Sequence, residues 1–358
     1  MNRSEKPKRI LRLLFWESTT RCNLMCTYCR RLDSGTDAFK DLSTTQARNL
    51  IEQLAELGKF QQFMPVLVFS GGEPFCRNDL FDLIGSAALL GISSAVATNG
   101  TMVDTDIAKK LRNSGVTRVS VSLDAAKPEI HDKLRGIDGS FSDAVRGIGC
   151  LRCCGVEFQV NITLTGKNAG QLNDVYELSE SLGAHALHVF ILVPLGCGRN
   201  LGKADMLTAE QIEDKMLEIT QLERRNQLPL RVTCGPHYHR VISQQGLAGT
   251  KSASSRSSKG CLAGQSVLFV NHRGDVFPCG YLPVNCGSVL NRNLQRIWCA
   301  SEQLARMRDS EKLEGKCGLC DYKEICGGCR ARAYAATGNY MAEDPFCAYI
   351  PQSEIRVD

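Results

Sequence analysis

The stretch TTRCNLMCTYCR, Thr19–Arg30, places cysteines at 22, 26 and 29. Three thiolates in one loop are one short of the four ligands of a structural zinc site. A [4Fe-4S] cluster held by the same three would keep one iron free to bind a further group. A zinc site completed by a distant residue, or three unrelated thiols, are the plainer alternatives. A second array follows near the C-terminus, where nine cysteines lie between Cys261 and Cys347. The pairs Cys317/Cys320 and Cys326/Cys329 would also suit a zinc ribbon.

Eighteen cysteines in 358 residues are the anomaly of this composition. Hydrophobic content of 43% and charge of 23% are ordinary for a globular chain. A net charge of +5 suits an anionic small molecule and is weak ground for nucleic acid. No apolar run approaches the roughly 18 residues of a membrane span. The N-terminus is polar, and Arg12 interrupts its first apolar stretch, so no secretory signal is read. A cytoplasmic setting is expected, where clustered cysteines serve metal or redox chemistry rather than disulfides. Cys76, Cys150, Cys153, Cys154 and Cys197 are scattered and read as small buried hydrophobes.

The elements that must position these thiols alternate strand and helix. Strands are predicted at Leu11–Trp16, Val66–Phe69, Ser94–Ala97, Arg118–Leu123, Val156–Thr163 and Ala186–Leu192. Helices are predicted at Thr44–Leu57, Asp79–Leu90, Thr105–Asn113, Phe141–Cys153 and Leu172–Leu182, with Gly58, Gly91, Gly115, Gly155 and Gly183 closing them. Six βα units imply an α/β fold with a parallel sheet, curled by right-handed crossovers into an open (β/α)6 partial barrel. Functional residues then belong at the C-terminal strand ends, where the cysteine loop already sits. A helix at Thr208–Arg225 and a Ser/Gly-rich linker, Ser243–Gly260, follow. The expected division is 1–205 barrel, 206–260 connection and 261–358 cysteine-rich domain, the last held together by metal.

With these motifs in order, the chain resembles the radical S-adenosylmethionine (SAM) family, whose signature is C-x3-C-x2-C after the first strand. FSGGEP (Phe69–Pro74) looks like its GGE motif, ATNG (Ala97–Gly100) follows the third strand, and SVSLDA (Ser120–Ala125) matches the fourth. The resemblance implies that Cys22, Cys26 and Cys29 hold a [4Fe-4S] cluster whose open iron binds SAM. It further implies SAM contacts from Tyr28, Gly71, Gly72, Glu73, Thr98, Asn99, Ser122, Asp124, Arg135 and Asn161. Arg135, in KLRG, would clamp the SAM carboxylate. The C-terminal region resembles the SPASM extension, which carries auxiliary [4Fe-4S] clusters. Cys317, Cys320, Cys326 and Cys347 would hold one of them. Cys261, Cys279 and Cys329 would belong to a second site, completed by Cys286 or left incomplete, so one or two auxiliary clusters are implied. Between Cys326 and Cys329 stand only two glycines, where the SPASM pattern has three residues.

Within that family the tail CGLCDYKEICGGCRARAYAATGNYMAEDPFC (Cys317–Cys347) is similar to the tetrapyrrole-modifying branch, and GCLAGQSVLFVNHRGDVFPCGYLPVNCG (Gly260–Gly287) is nearest its heme b synthases. The resemblance implies oxidative decarboxylation of two propionates of Fe-coproporphyrin III to vinyl groups, with an anionic iron tetrapyrrole as substrate. A low-potential donor such as ferredoxin or flavodoxin would supply electrons. Heme d1 or Fe-coproporphyrin formation, or modification of a peptide, are the alternative activities. An iron–sulfur carrier without catalysis would explain the cysteines but not GGEP or Arg135. Candidate propionate partners are Arg199, Lys203, Arg330 and Arg332, with Lys251, Arg256 and Lys259 of the linker as a closing lid. His185, His188, His237, His239 and His272 are candidate iron ligands.

Overall fold

The computed structural model describes residues 9–30, 41–246 and 260–352. Most of the linker, with Lys251, Arg256 and Lys259, lies outside the described residues. The predicted strands are present as β1 (Leu13–Glu17), β2 (Val66–Ser70), β3 (Ser94–Thr98), β4 (Arg118–Ser122), β5 (Phe158–Leu164) and β6 (Leu187–Ile191). A seventh, β7 (Leu230–Thr233), is not among the expected strands; its alternation, LRVT, is only four residues long and follows a polar stretch. Between strands run α1 (Thr44–Gln61), α2 (Leu80–Leu89), α3 (Thr105–Asn113), α4 (Pro128–Arg135), α5 (Ser140–Cys153) and α6 (Leu172–Ser181). After β6 come α7 (Ala209–Arg224) and α8 (His237–Gln244). Helix α4, absent from the sequence reading, has proline in its first turn and stops at Gly136 in the left-handed region. Gly58 does not close α1 but lies inside it, where a Cβ would stand 2.5 Å from Met64 Sδ.

Strands β1 to β7 are parallel neighbours in chain order. The C-terminal region does not stand apart from them. Its first strand, β8 (Val267–Val270), pairs in parallel with β1, Phe15 opposite Phe269. β9 (Asp275–Phe277) and β10 (Gly287–Ser288) extend the same ten-stranded sheet antiparallel. Helices α9 (Leu294–Ala300) and α10 (Glu302–Met307) then bury Leu294, Ile297, Trp298 and Leu304 in the main core. Gln53 of α1 seals this contact, donating to Val289 O at 3.0 Å and accepting from Leu294 N at 2.8 Å. Residues up to about Met307 are therefore packed conventionally. Only the remainder, with short α11 (Gly315–Leu319) and α12 (Arg330–Thr337), has the loop-rich character expected of a metal-held segment. No helix among the described residues is long and apolar enough to cross a membrane.

The three-cysteine loop leaves the C-terminal end of β1 and is clamped from two sides. On one side Gly72 N donates to Thr19 O and Glu73 N to Arg21 O, each at 2.8 Å. On the other, Met25 N and Thr27 N donate to Arg135 O and Leu134 O at the end of α4. Glycines make both approaches possible. A Cβ on Gly71 would lie 2.4 Å from Thr19 O, on Gly72 2.3 Å from Arg21 O, and on Gly136 2.4 Å from Met25 O. Gly72→Ala should therefore displace the loop and lower the iron bound on anaerobic reconstitution, with far-UV circular dichroism unchanged. Gly85→Ala, where a Cβ meets nothing within 4 Å, should keep full iron content and is the control.

Candidate active site

Around the loop the strand ends gather most of the residues read as SAM contacts. Glu73 is fully buried and accepts from Thr98 Oγ1 and Asn99 N at 2.8 Å and from Phe75 N at 3.3 Å. Burial outweighs these bonds and pushes its pKa up to about 7. Asn99 Nδ2 donates to Asn23 Oδ1 at 2.8 Å, which fastens the loop to the end of β3. Arg135 Nε stands 2.7 Å from Asp124 Oδ2, and Tyr28 donates its hydroxyl to the same carboxylate. Arg135 also reaches Cys26 Sγ at 3.8 Å. Burial pushes the Cys26 thiol up, and the guanidinium opposes it. Ser122 and Asn161 face each other in register on β4 and β5, half-buried on the barrel's concave side.

Cys317, Cys320, Cys326 and Cys347 surround a cavity of about 350 Å³, with Arg240, Lys316 and Lys323 among its other walls. None of these thiols is in a disulfide. Donors aim at the sulfurs: Tyr322 N to Cys320 Sγ at 3.4 Å, Gly328 N to Cys326 Sγ at 3.5 Å and Arg330 Nη2 to Cys317 Sγ at 3.6 Å. Among the described residues no three Cys, His, Asp or Glu side chains converge on one point as a single ion requires. Four thiols around one void, with N–H and cationic groups behind them, are a donor set that a [4Fe-4S] cluster can use.

The thiols of the second set are grouped differently from the sequence expectation. Cys261, Cys279 and Cys329 share one small core with Cys234. Cys234 and Cys329 act on each other, which draws Cys329 down to about 6 and pushes Cys234 well up. Burial, with Cys261 beside it, pushes Cys279 up to about 12. Cys286 does not join them: its Sγ turns to Val284 O at 3.5 Å and its surroundings are Ser301 and Arg308. Cys234 does not stand out in the sequence, because it directly follows the short β7. Its signal was Cys-Gly-Pro directly after a strand, and its φ of 57° marks a special position for a residue other than glycine.

Other expectations shift as well. Arg332 is not available to a propionate, because it is buried against Asp344 at 2.9 Å and donates to Cys234 O at 2.5 Å. Arg330 is spent on Tyr340 O, Ala342 O and Cys317. Arg199 and Lys203 are exposed beyond β6. His185 is exposed before β6, His188 contacts Gln159, and His239 packs edge-on against Tyr238. His237 lines the first thiol cage with Nε2 3.2 Å from Asp344 Oδ2; burial opposes its charge, but Asp344 lifts its pKa to about 9. His272 pairs with Glu17.

Two outcomes follow. Cys234→Ser should lower bound iron and change the low-temperature EPR signal of the reduced protein, whereas Cys286→Ser should leave both at wild-type values. Glu73 holds a proton in the native state that the unfolded chain releases above its ordinary range. Its contribution to stability should then be present below about pH 4.5 and lost as pH rises through about 7. The melting temperature of Glu73→Gln minus that of the wild type should consequently rise between about pH 5 and about pH 8 in the metal-free protein. A pH-independent difference would contradict the raised pKa.

Comparison with known proteins agrees with this architecture. Residues 16–179 match the radical SAM superfamily and residues 261–330 the SPASM iron-sulfur cluster-binding domain. An AdoMet-dependent heme synthase of Methanosarcina barkeri is 40% identical over 95% of this chain and 97% of its own length. A protein of the same description from Oleidesulfovibrio alaskensis is 39% identical, covering 97% of this chain and 89% of its own. The solved structure of native anSMEcpe with bound AdoMet superposes with a TM-score of 0.72 at 20% identity, covering 94% of each chain, and supports the fold. The radical SAM domain binds SAM and a [4Fe-4S] cluster, and the SPASM domain binds auxiliary iron–sulfur clusters. The chain is thus a radical SAM enzyme with a SPASM extension, and it belongs to the family of AdoMet-dependent heme synthases.

Proposed function

We propose that this enzyme oxidatively decarboxylates two propionate side chains of Fe-coproporphyrin III to vinyl groups, giving heme b. The observation that carries the reading is the likeness, along almost the whole chain, to AdoMet-dependent heme synthases. Cys22, Cys26 and Cys29 would hold the SAM-binding cluster. Cys317, Cys320, Cys326 and Cys347 would hold one auxiliary cluster, and Cys234, Cys261, Cys279 and Cys329 the other. When bound, these groups supply a 5′-deoxyadenosyl radical that can take hydrogen from a propionate β-carbon, and an acceptor for the electron released with carbon dioxide.

The chain's own residues set the geometry. Glu73, held by Thr98 and Asn99, offers a carboxylate to the amino group of SAM. Asp124 fixes Arg135 and Tyr28 against the loop, so the guanidinium lies beside Cys26 and close to where the SAM carboxylate must arrive. Ser122 and Asn161, on the concave face, are placed for the ribose. A low-potential ferredoxin or flavodoxin of the cytoplasm would reduce the enzyme. Heme d1-type or Fe-coproporphyrin-forming chemistry would use the same machinery on a related macrocycle.

The direct test is anaerobic incubation of the reconstituted protein with SAM, dithionite and Fe-coproporphyrin III, read by mass spectrometry. Two successive losses of one carbon dioxide and two hydrogens are expected, with 5′-deoxyadenosine formed alongside. Cleavage of SAM with Fe-coproporphyrin III left intact would overturn the assignment.

A further inference from the structure

Glu17, the last residue of β1, is a buried carboxylate with no part in the machinery above. It is 6% exposed, lies 3.4 Å from Arg30 Nη1, and has His272 Nδ1 at 3.0 Å. Burial alone would raise its pKa, but Arg30 and His272 hold it below the usual carboxylate range. Facing an ionised carboxylate, Nδ1 carries the ring proton. His272 comes two residues after β8, so the parallel pairing of β8 with β1 sets the two side chains together at adjacent C-terminal strand ends. With Nδ1 committed, Nε2 has no hydrogen-bond partner among the described residues.

Both residues line a cleft of about 670 Å³. Its walls are apolar at Phe269, Phe277 and Leu282, and Arg30 and Arg273 bring positive charge to it. Cys279 of the second thiol cage also lines it, and Arg30 directly follows Cys29. The cleft therefore lies between the three-thiol loop and that cage.

We infer that this cleft is the tetrapyrrole site, with His272 Nε2 the axial ligand of the substrate iron and Glu17 the carboxylate that orients it. The inference rests on the reading of the substrate as an iron tetrapyrrole. A carboxylate on the far ring nitrogen fixes the tautomer and strengthens the other nitrogen as a metal donor. Histidine is a common protein ligand of haem iron, and ligand sites are typically apolar clefts with a few placed polar groups. Aromatic walls suit the macrocycle, and the exposed Arg273 guanidinium can pair with one of its carboxylates. Of the six histidines only His272 combines a carboxylate partner with an apolar cleft; His237, also paired with a carboxylate, faces the first thiol cage.

The test titrates the reconstituted full chain, without SAM, with Fe-coproporphyrin III and with metal-free coproporphyrin III, following the Soret band. His272→Ala should weaken binding of the iron porphyrin about tenfold or more and leave the metal-free affinity unchanged, and added imidazole should restore the wild-type spectrum. Glu17→Gln should retain the ligand but lower the iron–histidine stretching frequency of the ferrous complex in resonance Raman. That variant decides the matter if His272→Ala assembles with less iron than the wild type. An unchanged Soret band in an iron-replete His272→Ala, or an unmoved stretch in Glu17→Gln, overturns the ligand assignment while leaving the proposed reaction standing. A wild type that binds neither porphyrin overturns the tetrapyrrole reading and the site together.

Discussion

Backbone hydrogen bonds to the loop Thr19–Arg30 are the constraint on which the site depends. The loop has little core of its own: Leu24 is buried, but Met25 is 70% exposed. Its shape comes from peptide groups of the turn after β2 and the end of α4, close enough that a single Cβ at Gly71, Gly72 or Gly136 would collide with a carbonyl. The GGE motif thus has a structural task before any ligand arrives. Glycines admit the loop, and the glutamate beside them takes up the β3 turn through Thr98 and Asn99. One tripeptide joins three strand ends.

The two thiol cages are joined in a comparable way by one buried carboxylate. Asp344 accepts from Cys329 N at 2.7 Å on the side of one cage, and its own N–H points to Cys317 Sγ at 3.4 Å on the other. Arg332 and His237 neutralise it and hold its pKa well below the ordinary value despite burial. Removing one partner of such a buried pair leaves a charge uncompensated, a cost of about 3–5 kcal/mol. The pair of glycines before Cys329 fits the same packing: a Cβ on Gly328 would press on Asp344 and Cys317 at 2.9 and 3.0 Å.

The six βα units, the cysteine loop and the GGE turn were legible because each rests on local chemistry: strand periodicity, a fixed thiol spacing, glycine at close approaches. Their assembly into one barrel mouth follows from parallel topology alone. Cys234 was not legible, because it depends on a strand only four residues long and on a partner 95 residues further along. Arg330 and Arg332 looked like surface cations in CRARAY; only the fold shows them turned inward to sulfur and carboxylate. The pairing of β8 with β1 escaped for a related reason. VLFV reads as a buried strand, but nothing local says that its neighbour lies more than 250 residues earlier.

That pairing has a consequence for how the molecule is made. As the ribosome delivers the chain from its N-terminus, β1 gains β2 early but keeps its other edge bare until Val267–Val270 emerges. The bare edge is Leu-Leu-Phe-Trp, an apolar template for pairing with another chain. Contacts spanning so much sequence also form slowly. The nascent barrel therefore passes through a stage in which its first strand must be shielded, and truncation before residue 270 would leave it permanently unshielded. The second thiol cage cannot gather before that pairing either, since Cys261 and Cys279 flank the strand that closes the edge and Cys329 follows it.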